Sequence, residues 1–215
     1  MDRCVLLIEV IHCSIQTSST AKQKDKRGYH KIVNLVLDKI KQSNFGEHNL
    51  ILYQDVATLN NVYLEYCKTA LETLNEMILI LPYRESVSDL FHSFKNIGVD
   101  IEKYKLQGLL VIVEAKKGYF NLTNEIVDIT IMIKMLLQRS NKLGKSGLTV
   151  FSDMGLFFHH NKLDELLKHE TRLFMSSSWI TNSKMKIFCC YNISDLNLLF
   201  DNQKQDLLAN HNRII

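Results

Sequence analysis

The stretch HNLILYQDVAT, residues 48–58, decides how the chain is read. It opens with the apolar run Leu50-Ile51-Leu52-Tyr53 and breaks at Gln54-Asp55, where Asp55 has the chemistry of a helix N-cap. Leu59, Tyr63, Tyr66, Cys67 and Ala70 then fall on one helical face. Four further apolar runs follow: Met77 to Leu81, Leu109 to Val113, Leu148 to Phe151, and Ile187 to Cys190. They are continuous instead of alternating, as strands covered on both faces require.

Helical stripes separate these runs. Leu90, Phe91, Phe94 and Ile97 form one, entered through Ser86 with Asp89 three residues on and closed by Gly98. Ile126, Ile129, Ile133, Leu136 and Leu137 form another, and Leu163, Leu166, Leu167, Leu173 and Phe174 the next. Strand and helix alternate throughout. The expected fold is α/β: a three-layer sandwich around a mainly parallel sheet of five or more strands.

Residues 1–45 read as an N-terminal extension, and 46–215 as the α/β domain. Within the extension, residues 14–30 form a polar, basic linker, and Ile32, Val36 and Ile40 mark a short helix ending near Ser43-Asn44. The apolar run Val5 to Ile11 is too short for a membrane span and lacks a signal-peptide cleavage site. Its alternative reading is a strand of the sheet. A formal net charge of +3 is too mild for a nucleic-acid surface. Five cysteines without a CxxC pair suggest reduced thiols in a cytoplasmic protein.

Gly144-Lys145-Ser146 has the letters that close a phosphate-binding loop. The glycine that should open such a loop is replaced by Arg139, and the triplet leaves a helix and enters a strand. A phosphate loop does the reverse, so that a helix N-terminus faces the anion. Residues 54–58, where the loop belongs, contain no glycine. The triplet is therefore a turn, and no nucleotide cofactor is expected. Asp153 ends a strand as a magnesium-binding aspartate would. Without a phosphate cradle, capping the next helix is its expected role. A phospho-acceptor receiver is disfavoured too, because Asp55 stands alone after the first strand and Tyr191-Asn192 follow the last run.

The order of segments resembles the MEDS family, the methanogen/methylotroph DcmR-type sensory domain, over about seven-tenths of the chain. HNLILYQD places His48 and Tyr53 in an opening His-x4-Tyr pattern. NIGVDIEKYKLQGLLVI (96–112) matches a Gly-Val-Asp segment, and FSDMG (151–155) an Asp/Met turn at Asp153 and Met154. KHETRL (168–173) carries Glu170, and FCCYN (188–192) carries Cys190 and Tyr191, adjacent where the family spaces them by one. The resemblance implies a RecA/KaiC-like core without a phosphate loop, in an archaeal-type, stand-alone sensor. Its implied activity is non-catalytic sensing of a small organic ligand or a protein partner, with a kinase or regulator as output. A degenerate RecA/KaiC-type ATP-binding module is the alternative.

His48, Tyr53, Asp153, Met154, Glu170, Cys190 and Tyr191 are the candidate ligand-binding residues. Each also has a structural reading. His48 can be a hydrogen-bonding residue before the first strand, and Tyr53 a core residue with a satisfied hydroxyl, although it ends a strand at the edge where open α/β sheets bind ligands. Glu170 falls within an apolar helical stripe, so it is expected to be buried and paired with a basic or tyrosine side chain, or to orient a polar group beside a ligand. No catalytic triad is recognisable, and no metal is expected. His159-His160 lack a third ligand at useful spacing, and Cys189 and Cys190 point to opposite faces of a strand.

Overall fold

The computed structural model describes residues 26–215 apart from 124 and 176. The run Val5 to Ile11 and the linker up to residue 25 lie outside the described residues. In chain order the elements are α1 (Lys26–Lys41), β1 (His48–Tyr53), α2 (Val56–Thr69), β2 (Met77–Leu81), α3 (Val87–Asn96), α4 (Ile101–Leu106), β3 (Leu110–Ile112), α5 (Ala115–Tyr119) and α6 (Ile129–Lys142). They continue as β4 (Leu148–Asp153), α7 (Gly155–His159), α8 (Leu163–Met175), α9 (Ser177–Thr181), β5 (Met185–Asn192), α10 (Ile193–Leu196), α11 (Asp201–Ala209) and β6 (Arg213–Ile214). No described helix is long and apolar enough to cross a membrane.

The expected caps form. Asp55 Oδ1 accepts from the Thr58 amide at 2.9 Å, and Ser86 Oγ from the Asp89 amide at 3.1 Å. Each pairs one of the amides that a helix N-terminus leaves without an intrahelical partner. Gly98 ends the α3 segment at φ +79°, a left-handed conformation that costs glycine little.

The sheet is six-stranded in the order β3-β2-β4-β5-β1-β6, and every pairing is parallel. Side chains of a strand alternate between faces. Ile51, Tyr53, Phe151, Phe188 and Cys190 therefore enter one core, with Val33, Leu37 and Ile40 of α1, much of α2, and Leu90 and Phe94 of α3. Leu50, Leu79, Val150, Cys189 and Tyr191 enter the other, beneath Tyr119, Ile129, Phe157, Leu166 and Leu207. Double burial is why the central strands carry no alternation of polar and apolar residues.

Ile126, read as part of a helical stripe, lies before α6 and bridges to Phe120 instead, and two further details differ from the sequence reading. The first helix begins at Lys26, so the end of the polar stretch is helical, and its buried face is Val33, Leu37 and Ile40, with Val36 half-buried. The second is β6, two residues beside β1, too short for any periodicity to announce.

Gly144-Lys145-Ser146 is a turn at the amino edge of the sheet, with Gly144 at φ +65°. Lys145 Nζ donates to Asn75 Oδ1 at 2.8 Å and Ser146 Oγ to the Leu74 carbonyl at 2.8 Å. The triplet binds its own chain. At the same edge lies a buried ion pair: Lys186 Nζ meets Glu76 Oε1 at 3.0 Å. Glu76 Oε2 also accepts from Tyr66 at 2.8 Å and Thr149 at 2.6 Å. The ammonium further sits over the rings of Phe45 and Tyr66.

Removing one partner of such a pair strands a buried charge. Lys186→Met is expected to lower unfolding free energy by about 3–5 kcal/mol in urea denaturation. Lys145→Ala, at an exposed turn, should change it by less than about 0.5 kcal/mol.

Candidate functional site

Two polar clusters lie against the sheet, one at its carboxyl edge and one around His48 and Cys189 in the core of Leu166. On the α2 face, Tyr53 donates to Asp153 Oδ1 at 3.1 Å. The backbone amides of Gly155 and Arg84 donate to the same carboxylate at 3.0 and 3.2 Å. Burial pushes the Asp153 carboxyl above its ordinary range, while these donors and the Arg84 guanidinium oppose that shift. Asp153 thus receives the first amide of α7, although the N-cap position of that helix is Met154. Arg84 Nη2 reaches both Asp195 carboxylate oxygens at 2.8 and 2.6 Å and donates to His159 Nε2 at 3.0 Å. One side chain therefore ties the β2–α3 loop to α7 and α10.

The N-terminus of α2, where an anion would bind, is occupied by the chain's own Asp55 carboxylate. The turn before it is fastened to β5, because Asn192 Nδ2 donates to the Gln54 carbonyl at 3.1 Å.

On the opposite face, α8 turns His169 and Glu170 inward along with Leu166 and Leu173. Glu170 has no exposed surface. Its Oε1 accepts a hydrogen bond from the Tyr191 hydroxyl. Its Oε2 lies 3.4 Å from His48 Nε2 and 3.3 Å from His211 Nε2. Cys189 Sγ stands 3.2 Å from His48 Nε2. Burial would raise the Glu170 carboxyl, but the imidazoles of His211, His48 and His169 and the Tyr191 hydroxyl outweigh it and leave the group below its ordinary range. Burial and the neighbouring His211 hold the His48 ring down to about 3, so His48 is neutral. Burial and the Glu170 charge push the Cys189 thiol up.

The seven candidates do not form one site. His48, Glu170 and Tyr191 meet. Tyr53 and Asp153 pair across the sheet, and Met154 sits behind them, its sulfur 3.8 Å from the Tyr119 hydroxyl. Cys190 requires correction: it faces the α2 side, in the core with Tyr53 and Phe188, whereas Cys189 faces Glu170. Cys189 and Tyr191 also restore the one-residue spacing that Cys190-Tyr191 lacked, because alternate residues of a strand share a face. That signal was present in FCCYN. His211, Arg84 and Asp195 gave none, since each joins its cluster only through the strand order. His159 accepts from Arg84 Nη2 at 3.0 Å. The cluster of His48, Glu170, Cys189 and His211 offers one nitrogen, sulfur or oxygen from each residue, all within 4.8 Å of one another.

The fold is thus a parallel α/β sandwich with no glycine-rich phosphate turn after its first strand. The chain belongs to the MEDS family, "MEthanogen/methylotroph, DcmR Sensory domain", whose profile matches residues 47–212. No curated protein matches it. Among solved structures it is similar to the KaiC-like protein of the hyperthermophilic archaeon Pyrococcus horikoshii, at 12% identity and a TM-score of 0.46. That alignment covers 69% of this chain and 62% of the other.

Glu170→Ala removes the acceptor of a buried hydroxyl and should cost about 1–3 kcal/mol of stability. Glu165→Ala, which loses a partly exposed pair with Lys162, should stay within about 0.5 kcal/mol. Equal losses in the two variants, read from denaturant midpoints, would show that Glu170 carries no internal partner of consequence.

Proposed function

We propose that the chain is a non-catalytic cytoplasmic sensory domain that binds a small organic ligand or a protein partner and relays a conformational change to a kinase or regulator. Family membership supports the sensory role. The observation that carries the reading is the closure of the carboxyl edge by the protein's own charges. Asp55 caps the helix that would otherwise cradle a phosphate, and Arg84 is held by Asp195.

Open α/β sheets receive ligands at this edge. The Arg84 side chain is 23% exposed, although its Nε is itself buried and has no partner among the described residues. An acidic or polar group from outside can therefore compete with Asp195 for the guanidinium. Displacing Asp195 releases α10 from the β2–α3 loop, a local change with a defined start and end. Such a switch needs only that the ligand bind the released state more tightly than the closed one. The degenerate ATP-binding alternative gains no support, because a phosphate at α2 would meet the Asp55 carboxylate.

Calorimetry with Mg-ATP should give no affinity tighter than about 100 μM, equivalent to about 5.5 kcal/mol. Tighter binding would favour the ATP module. Native mass spectrometry of the purified chain should instead reveal a co-purified small molecule or protein, and Arg84→Gln should lose it. Retention by Arg84→Gln would remove the carboxyl edge from the binding site.

A further inference from the structure

We propose that His48, Glu170, Cys189 and His211 together hold one divalent transition-metal ion, with Zn²⁺ the best match to the donor set. The four residues come from β1, α8, β5 and the segment before β6. Metal–ligand bonds of about 2.0–2.3 Å arranged tetrahedrally put neighbouring donors about 3.3–3.6 Å apart. The three close donor pairs stand at 3.2, 3.4 and 3.3 Å. The other pairs, all within 4.8 Å, need only a small inward movement onto the ion.

A second observation comes from the protons. His211 Nδ1 lies 2.7 Å from the Leu207 carbonyl, which can only accept, so Nδ1 carries the hydrogen. In the neutral ring, Nε2 then presents a lone pair toward Glu170 Oε2, which is another lone pair. Neither atom has a hydrogen-bond partner among the described residues, and both are buried. Two buried acceptors facing each other require a cation between them, either a proton or a metal. Donation of Nδ1–H to a carbonyl is also how metal-bound histidines are oriented. Tyr191 holds Glu170 by Oε1 and leaves Oε2 for the ion. The cysteine supplies what a proton bridge would not use: a soft donor aimed at the same point.

Charge balance fits a divalent ion. Binding displaces the Cys189 thiol proton to solvent. The product contains one thiolate, one carboxylate, two neutral imidazoles and M²⁺, so the buried site is neutral overall. Sulfur and nitrogen donors disfavour Mg²⁺ and Ca²⁺. With four protein donors, the coordination is closed, as in structural zinc sites. This metal site does not depend on the sensory reading, and it shares no residue with the Arg84–Asp195 pair.

The test uses Co²⁺ as a spectroscopic stand-in for Zn²⁺ on the full chain, stripped with a chelator and dialysed. Titration should saturate at one Co²⁺ per chain, with the visible bands of a tetrahedral ion and a near-ultraviolet thiolate charge-transfer band, all reversed by Zn²⁺. Cys189→Ala should abolish the charge-transfer band, and Cys190→Ala should keep it. His211→Ala should weaken Zn²⁺ binding by more than about 100-fold, beyond the usual cost of losing an outer partner. If Cys189→Ala does not fold, the wild-type spectrum decides by itself. Absence of stoichiometric binding would leave a proton bridging His211 and Glu170 and overturn the proposal. So would Co²⁺ bound without a thiolate band, or a band that survives in folded Cys189→Ala.

Discussion

A carboxylate with no exposed surface has to be compensated by its surroundings, and Glu170 sets that demand on one half of this molecule. Isolated ionised groups are too costly to bury, so the neighbours must supply donors or positive charge. Here Tyr191 of β5 donates to Oε1, while His48 of β1 and His211 of the segment before β6 stand against Oε2, which has no hydrogen-bond partner among the described residues. The place of His211 explains why residues 210–215 fold back at all. The Asn212 amide donates to the His48 carbonyl at 2.7 Å, and Asn212 Oδ1 accepts from the His48 amide at 2.7 Å. The C-terminal segment is bound to β1 around the same histidine that faces Glu170.

The other half is organised by Asp153 and Arg84, and the contrast is chemical. Asp153 is satisfied by a hydroxyl and two backbone amides, all neutral donors. Arg84 and Asp195 satisfy one another at the rim, where water still reaches the guanidinium. A neutral-donor network of this kind is rigid, whereas a rim ion pair can exchange partners with something arriving from solvent. Glu170's cluster is closed to such exchange with large molecules but is suited to a single small cation. The two clusters therefore serve different purposes: one packs its polar groups inward, the other leaves a charge at the carboxyl edge.

Much of this was legible in the residues themselves. Asp55 and Ser86 cap helices because a short side-chain acceptor can reach a free amide two or three residues ahead. Glu170 is buried because it sits within the period of Leu166 and Leu173. Gly144-Lys145-Ser146 failed as a phosphate loop because it follows a helix instead of preceding one. Cys190 stood among the candidates through the family resemblance carried by FCCYN, whereas strand geometry already set it on the opposite face from Cys189. In a strand, neighbours point apart, so Cys189 and Tyr191 share a face while Cys190 points into the opposite core.

What the sequence determined by itself was periodicity and its consequences: doubly covered strands, helical stripes, caps, and a glutamate turned inward. These depend on backbone geometry over a few residues, which the chain carries locally. Which groups meet was decided only by the tertiary structure. The order β4-β5-β1-β6 brings Cys189, His48 and the segment holding His211 side by side, and α8 packs across them. Many strand orders are compatible with the same apolar runs, so no local pattern can announce that convergence. The selection is made when both faces of the sheet are covered at once.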